Sequence, residues 1–140
     1  MTIVESIRNW VRGCPLIDDD LRVNVDWLPE NATEYTIDSI PSEAVVRRYL
    51  DGSAQKQELF VFGSREPYGT DVLQNIDNSG FYEDFCDWVE SQNETGDLPA
   101  LETGKTPIKV DVLSTAYVFQ SDAETARYQI QCRLLYMEVK

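Results

Sequence analysis

Near the end of the chain Tyr128, Ile130, Cys132, Leu134 and Tyr136 alternate with Arg127, Gln129, Gln131 and Arg133. Successive side chains of a strand point to opposite faces, so this run reads as a strand with one apolar and one polar face. Such a strand belongs in a sheet covered on one side. The same period of two recurs earlier. Leu21, Val23, Val25 and Trp27 alternate with Arg22, Asn24 and Asp26, and Pro29 ends that strand. Tyr35 and Ile37 alternate with Thr36 and Asp38 up to Pro41, which suggests a strand near a sheet edge. Ile108, Val110 and Val112 alternate with Lys109 and Asp111 and continue toward Phe119, so residues 120–125 close an antiparallel hairpin with the last strand.

A further hairpin is signalled by Asp51-Gly52-Ser53-Ala54 between two apolar runs, 45–50 and 57–62. A two-residue turn at Asp51-Gly52 would set Arg47 opposite Lys56. A four-residue loop pairs Arg47 with Glu58 and Val46 with Leu59, so charge and burial favour the longer loop.

Two regions change to the helical period. Thr2 and Glu5 form a capping box, followed by the stripe Ile3, Ile7, Trp10, Val11 and Cys14, with Glu5, Arg8, Asn9 and Arg12 opposite; Gly13 and Pro15 stop the helix. Thr70 can cap a second helix carrying Val72, Leu73 and Ile76, after which come Phe81, Tyr82, Phe85, Cys86, Trp88 and Val89. On one straight helix these two apolar sets point in nearly opposite directions, which predicts a break or a kink at Asn78-Ser79-Gly80, with Asn78 or Ser79 capping the second piece. In that piece Glu83, Asp84, Asp87, Glu90 and Glu94 lie opposite the aromatics. Residues 91–107 contain Gly96, Pro99 and Gly104 and read as a long surface loop.

The chain is therefore expected to be one α+β domain over residues 1–140, in the order α-β-β-β-β-α(broken)-β-β, with helices on one side of a mixed or mainly antiparallel sheet. Trp10, Val25, Trp27, Phe60, Phe62, Phe85, Trp88, Ile130 and Leu134 are the expected core. No apolar run reaches the ~20 residues of a membrane-spanning helix, and the first residues lack the pattern of a secretory signal, so the expectation is a cytoplasmic protein with no membrane partner. Three widely spaced cysteines, Cys14, Cys86 and Cys132, read as reduced core residues, and the sequons at Asn31 and Asn93 as unused.

Charge and chemistry narrow the function classes. The net charge is −13, and residues 66–102 hold ten acids with no lysine or arginine, which argues against binding a phosphate backbone. The chain has no histidine, which removes the commonest general base and most zinc sites. There is no glycine-rich phosphate loop and no EF-hand pattern. Asp18-Asp19-Asp20 reads as a solvated turn and not as a cation site. The expectation is a non-enzymatic protein without metal or cofactor. The acidic helix face of Glu83, Asp84, Asp87, Glu90 and Glu94 either confers solubility or is a negative surface that repels nucleic acid or meets a basic partner.

Several stretches resemble a family of short minor capsid or tail-completion proteins from tailed phages and prophages of Gram-positive bacteria. They are residues 1–16 (MTIVESIRNWVRGCPL), 23–38 (VNVDWLPENATEYTID), 48–53 (RYLDGS), 59–90 (LFVFGSREPYGTDVLQNIDNSGFYEDFCDWVE) and 126–138 (ARYQIQCRLLYME). The likeness is one of sequence texture, with no catalytic signature in it. The element order also resembles the tail terminators of long-tailed phages. That resemblance implies a hexameric ring in the virion that stops growth of the tail tube, with the major tail tube protein and a head completion protein as partners. It further implies residence at the tail or head-tail junction, and in the host cytoplasm during assembly. In such a ring the acidic face would line a DNA channel, and the Arg47, Arg48 and Arg65 side of the first hairpin would meet residues 66–102 of the next subunit. The competing readings are a head completion or connector protein and an acidic binding module such as a DNA mimic.

Overall fold

A computed structural model describes residues 2–17, 23–26, 28, 34–67, 72–121 and 125–139, with the side chains of 72–77 and 119–121 left undescribed. The chain opens with α1 (Ile3–Arg12), in which Thr2 Oγ1 accepts a hydrogen bond from the Glu5 amide at 3.1 Å. Ile7, Val11 and Cys14 are buried, while Glu5, Asn9 and Arg12 are exposed, as the helical period requires. Arg8 departs from that solvated face: its Nε donates to the Val23 carbonyl at 2.9 Å.

Seven strands follow: β1 (Val23–Val25), β2 (Glu34–Ser39), β3 (Val45–Arg48), β4 (Ala54–Pro67), then after α2 (Val72–Thr95) β5 (Lys105–Val112), β6 (Tyr117–Ser121) and β7 (Thr125–Glu138). They form one mixed sheet in the order β1-β2-β4-β7-β5, with β3 beside the start of β4 and β6 beside the start of β7. Only β1 and β2 run parallel. β4 and β7 pair without interruption from Ala54↔Glu138 to Pro67↔Thr125. At about 3.3 Å per residue this two-stranded rail spans about 45 Å and sets the length of the molecule.

One face of the rail carries the core. Phe60 and Phe62 of β4, Ile130, Cys132 and Leu134 of β7, Ile37 of β2 and Val110 of β5 are buried against Ile7 and Val11 of α1 and Tyr82, Phe85 and Val89 of α2. Phe62 stacks on Phe85 at 4.5 Å and on Tyr35 at 5.7 Å, and Trp10 meets Trp88 at 4.7 Å in the seam between the helices. Each fully buried side chain of this size contributes about 1.5–3 kcal/mol of transfer free energy. The protein is thus an α+β domain with both helices packed into the same core.

Several expectations change. The second helix is not broken: α2 runs through Asn78, Ser79 and Gly80 as one helix of 24 residues. Its sheet-facing stripe is Asn78, Tyr82, Phe85, Val89 and Asn93, with asparagines at both ends. The Asn78 amide, expected as a helix cap, instead donates to the Pro67 carbonyl at 2.8 Å. Asn93 both donates to the Val110 carbonyl (2.7 Å) and accepts from the Val110 amide (2.9 Å). A pattern of apolar residues alone cannot register a stripe continued by amides. The expected packing of Val72, Leu73 and Ile76 and the cap at Thr70 lie outside the described residues.

The first hairpin takes neither expected register. Arg48 pairs with Ala54 and Arg47 with Gln55, around the three-residue loop 50–52 closed by Tyr49 N–H to Ser53 O at 2.9 Å. Asp51 Oδ1 accepts from the Ser53 amide, and Gly52 takes the left-handed φ of 89°. Turn chemistry therefore fixes the loop, and the register is then absorbed by a bulge between Val45 and Arg47. β2 lies near the sheet edge as expected, second from it, with the three-residue β1 along its outer side. α2 ends at Thr95 and β5 starts at Lys105, so the connection is 96–104 and shorter than the expected 91–107.

The strand after that loop divides at 113–116. The Ser114 hydroxyl accepts from the Gln131 amide at 3.1 Å and so replaces a backbone partner in the gap. Among the expected core residues, Val25 is 41% exposed because β1 ends there, at Asp26 with φ 54°. Trp10 and Trp88 are half-buried, and Trp27 lies outside the described residues.

Candidate functional site

The face of the sheet away from the helix-packed core carries polar side chains paired across strands, interleaved with Leu59, Val61 and Leu135, of which Val61 and Leu135 are buried. Arg127 of β7 forms a close ion pair with Asp38 of β2 and donates from Nε to Gln129 Oε1 at 3.0 Å. Gln129 and Gln131 both donate to the Tyr117 hydroxyl, at 2.6 and 3.3 Å. Arg133 reaches Asp111 Oδ2 with Nε and Nη2 at 3.2 and 2.7 Å. Gly63 lies below Arg127, and a Cβ there would stand 3.3 Å from its Nη2, so the bare backbone makes room for the guanidinium. The polar half of the alternating β7 pattern is thereby fully employed. Arg127 and Arg133 thus each have a carboxylate partner, Asp38 and Asp111.

On the helix side, Glu83, Asp84, Asp87, Glu90 and Glu94 are all exposed along the outward face of α2. That face borders a groove of about 560 Å³ between α2 and β5, lined by Val89, Val110 and Val112 in the floor and by Glu90 and Leu113 at the rim. A smaller hollow of about 170 Å³ continues it past Glu83, Ala116 and Tyr128. Cys86 lines both parts and is half-buried, unlike the buried Cys14 and Cys132. Burial raises the Cys86 thiol pKa, and Asp87, Glu90 and Glu83 add to the effect, so at neutral pH it is a protonated thiol and a poor nucleophile.

The basic residues do not form one patch. Arg47 and Arg48 are exposed on β3, at the tip end of the rail, and the Arg47 guanidinium lies 5.9 Å over the Tyr49 ring. Arg65 sits half-buried near the opposite end of β4, opposite Glu34 and Arg127 in the register. It is eleven positions from Ala54, or about 35 Å along a strand, so the expected grouping with Arg47 and Arg48 does not hold. Beside the tip, Lys56 pairs with Glu138 at 2.8 Å. Val46, Tyr49 and Leu50 are exposed there, Leu50 completely.

A buried polar chain lies under the first half of α2. Ser64 and Tyr82 share a hydrogen bond of 2.6 Å, and Tyr82 donates to the Tyr128 carbonyl at 3.1 Å. Burial pushes the Glu66 carboxyl up to about 7, against a smaller opposing effect of its hydrogen bond with Ser64. Neither this chain nor the polar sheet face was assigned a role from the sequence. The signal for the sheet face was present in the alternation Arg127, Gln129, Gln131, Arg133. That for Glu66 was not, since burial of a lone acid at a strand end depends on what packs above it.

Among the described residues no three His, Cys, Asp or Glu side chains gather as metal ligands, and no helix is long and apolar enough to cross a membrane. Asp18, Asp19 and Asp20 lie outside the described residues, as does the sequon at Asn31. No family profile matches the chain, and no curated protein is significantly similar to it.

Proposed function

We propose that this protein is a structural subunit of a bacteriophage-type tail, a tail terminator or tail-completion protein that acts as a ring at the end of the tail tube. The observation that carries the reading is the one-sided helix packing, in which both helices join the core on one face of a mixed sheet while the other face carries cross-strand ion pairs. Helices on one side of a mixed sheet are the arrangement implied by the resemblance of the element order to tail terminators. An exposed apolar hairpin tip and an acid-rimmed groove add two dissimilar surfaces on one chain, which is what a ring built from identical subunits needs. In the ring, the carboxylates of Glu83, Asp84, Asp87, Glu90 and Glu94 keep passing DNA from adhering wherever they face the channel. The partners are further copies of the chain, the major tail tube protein and a head completion protein.

Negative-stain imaging of the purified protein mixed with its neighbouring tail tube protein tests the reading. The expected result is a ring on one end of each tube. Rings that join the portal and leave tube ends bare would make it a head completion protein. Unchanged tubes, with the chain instead captured by a basic host protein, would favour an acidic binding module.

A further inference from the structure

We propose that the β3–β4 hairpin tip of one chain, with Tyr49 and Leu50 flanked by Arg47 and Arg48, seats in the groove between α2 and β5 of a second copy. The inference rests on the ring reading and specifies its subunit contact. Three properties of the tip set what it fits. Leu50 is completely exposed and Val46 and Tyr49 are exposed beside it, an apolar cluster that a hairpin end has no local means to bury. The loop is closed by Gly52 N–H to Tyr49 O at 3.1 Å and by Asp51 on the Ser53 amide, which lowers the conformational entropy lost when it docks. Arg47 and Arg48 are exposed on its flank, beside the Lys56–Glu138 pair, and give it an excess of positive charge.

The groove is the complement in each respect. Val89, Val110, Val112 and Leu113 give it an apolar part, Asn93, Asp111, Ser114 and Thr115 a polar one, its volume of about 560 Å³ admits a leucine with part of a tyrosine, and Glu90 lines it with Glu83 beside the neighbouring hollow. The outward acids of α2 extend this negative field along the helix. A chain's own tip projects past the Ala54↔Glu138 end of the rail, whereas its groove lies beside residues 110–115, so tip and groove meet between copies. The contact joins unlike surfaces. It therefore propagates by rotation from chain to chain, and closes as a ring where the rotation divides the circle. The Asn93 amide, bonded to both backbone groups of Val110, blocks strand addition at the middle of the β5 edge and leaves side-chain insertion as the way in.

The test combines Leu50→Cys with Leu113→Cys in a Cys86→Ser background, and treats the protein at its highest soluble concentration with a short bis-maleimide. Cys14 and Cys132 are buried and do not compete. The expected product is a ladder of dimers, trimers and larger species, while each single-cysteine variant stops at dimers. Arg47→Glu with Arg48→Glu should lower the ladder about tenfold at low salt, and adding Glu83→Lys with Glu90→Lys should restore it. A double-cysteine variant that stops at dimers, or a ladder indifferent to charge reversal, overturns the docking. Wild-type rings on tube ends without the ladder would reject the docking and keep the ring reading; a ladder with bare tube ends would keep the docking and reject the tail role.

Discussion

Glu66 is the penultimate residue of β4, opposite Ala126, and its raised pKa makes it a site of stored instability. In the unfolded chain the carboxyl titrates near its ordinary value of 4.5, and in the fold near 7. Between those values the native state binds more protons than the unfolded state, so this group's contribution to stability falls as pH rises from about 4.5 to about 7 and stays lost above that. Glu66→Gln should therefore raise the unfolding free energy by about 1–3 kcal/mol near pH 8 and leave it unchanged near pH 4, as read by urea titration at both values. Tyr82 lies in the same polar chain. Tyr82→Phe removes the partner of the Ser64 hydroxyl and of the Tyr128 carbonyl while keeping the ring, and should cost about 1–3 kcal/mol in the same measurement. A neutral result would mean that water replaces the phenol at no cost.

α2 is the element whose sequence misled most. Its apolar residues change phase near Gly80, yet the helix continues, because Asn78 and Asn93 extend the sheet-facing stripe by bonding to strand backbone. Gly80 has no atom within 4 Å of where a Cβ would stand. Gly80→Ala should then stabilise the protein by about 0.5–1 kcal/mol through helix propensity; a loss of stability would place a break there after all. Phe85→Ala should cost about 3–5 kcal/mol, and the half-buried Trp88→Ala distinctly less, both from denaturant midpoints. What was legible in the sequence is what depends on a residue's own period. The cap at Thr2, the α1 stripe, the alternation of β7 and the exposed acids of α2 all follow from local spacing. The rest depended on partners far along the chain. The hairpin register follows from how Asp51 and Gly52 bend the loop, the gap at 113–116 from the Ser114 hydroxyl, and the separation of Arg65 from Arg47 and Arg48 from the length of β4. The same is true of the groove, whose walls come from α2 and β5 and are joined by no sequence pattern.

For the whole molecule, the charge of −13 and the one-sided sheet act together. In the proposed ring each exposed ion pair between tip and groove would contribute only about 0–1 kcal/mol against the self-repulsion of acidic chains, so such a ring should be weak in dilute solution and gain stability on a tube end. Raising salt should weaken the tip-to-groove contact while lowering the repulsion between acidic helices, and sedimentation across a salt series should therefore pass through a maximum in the assembled fraction. The central claim is that the chain terminates a tail. The measurement that bears on it most directly is electron microscopy of the tails assembled in cells lacking its gene. The account predicts tails of uncontrolled length or tails that fail to join heads; tails of normal length joined to heads would contradict it.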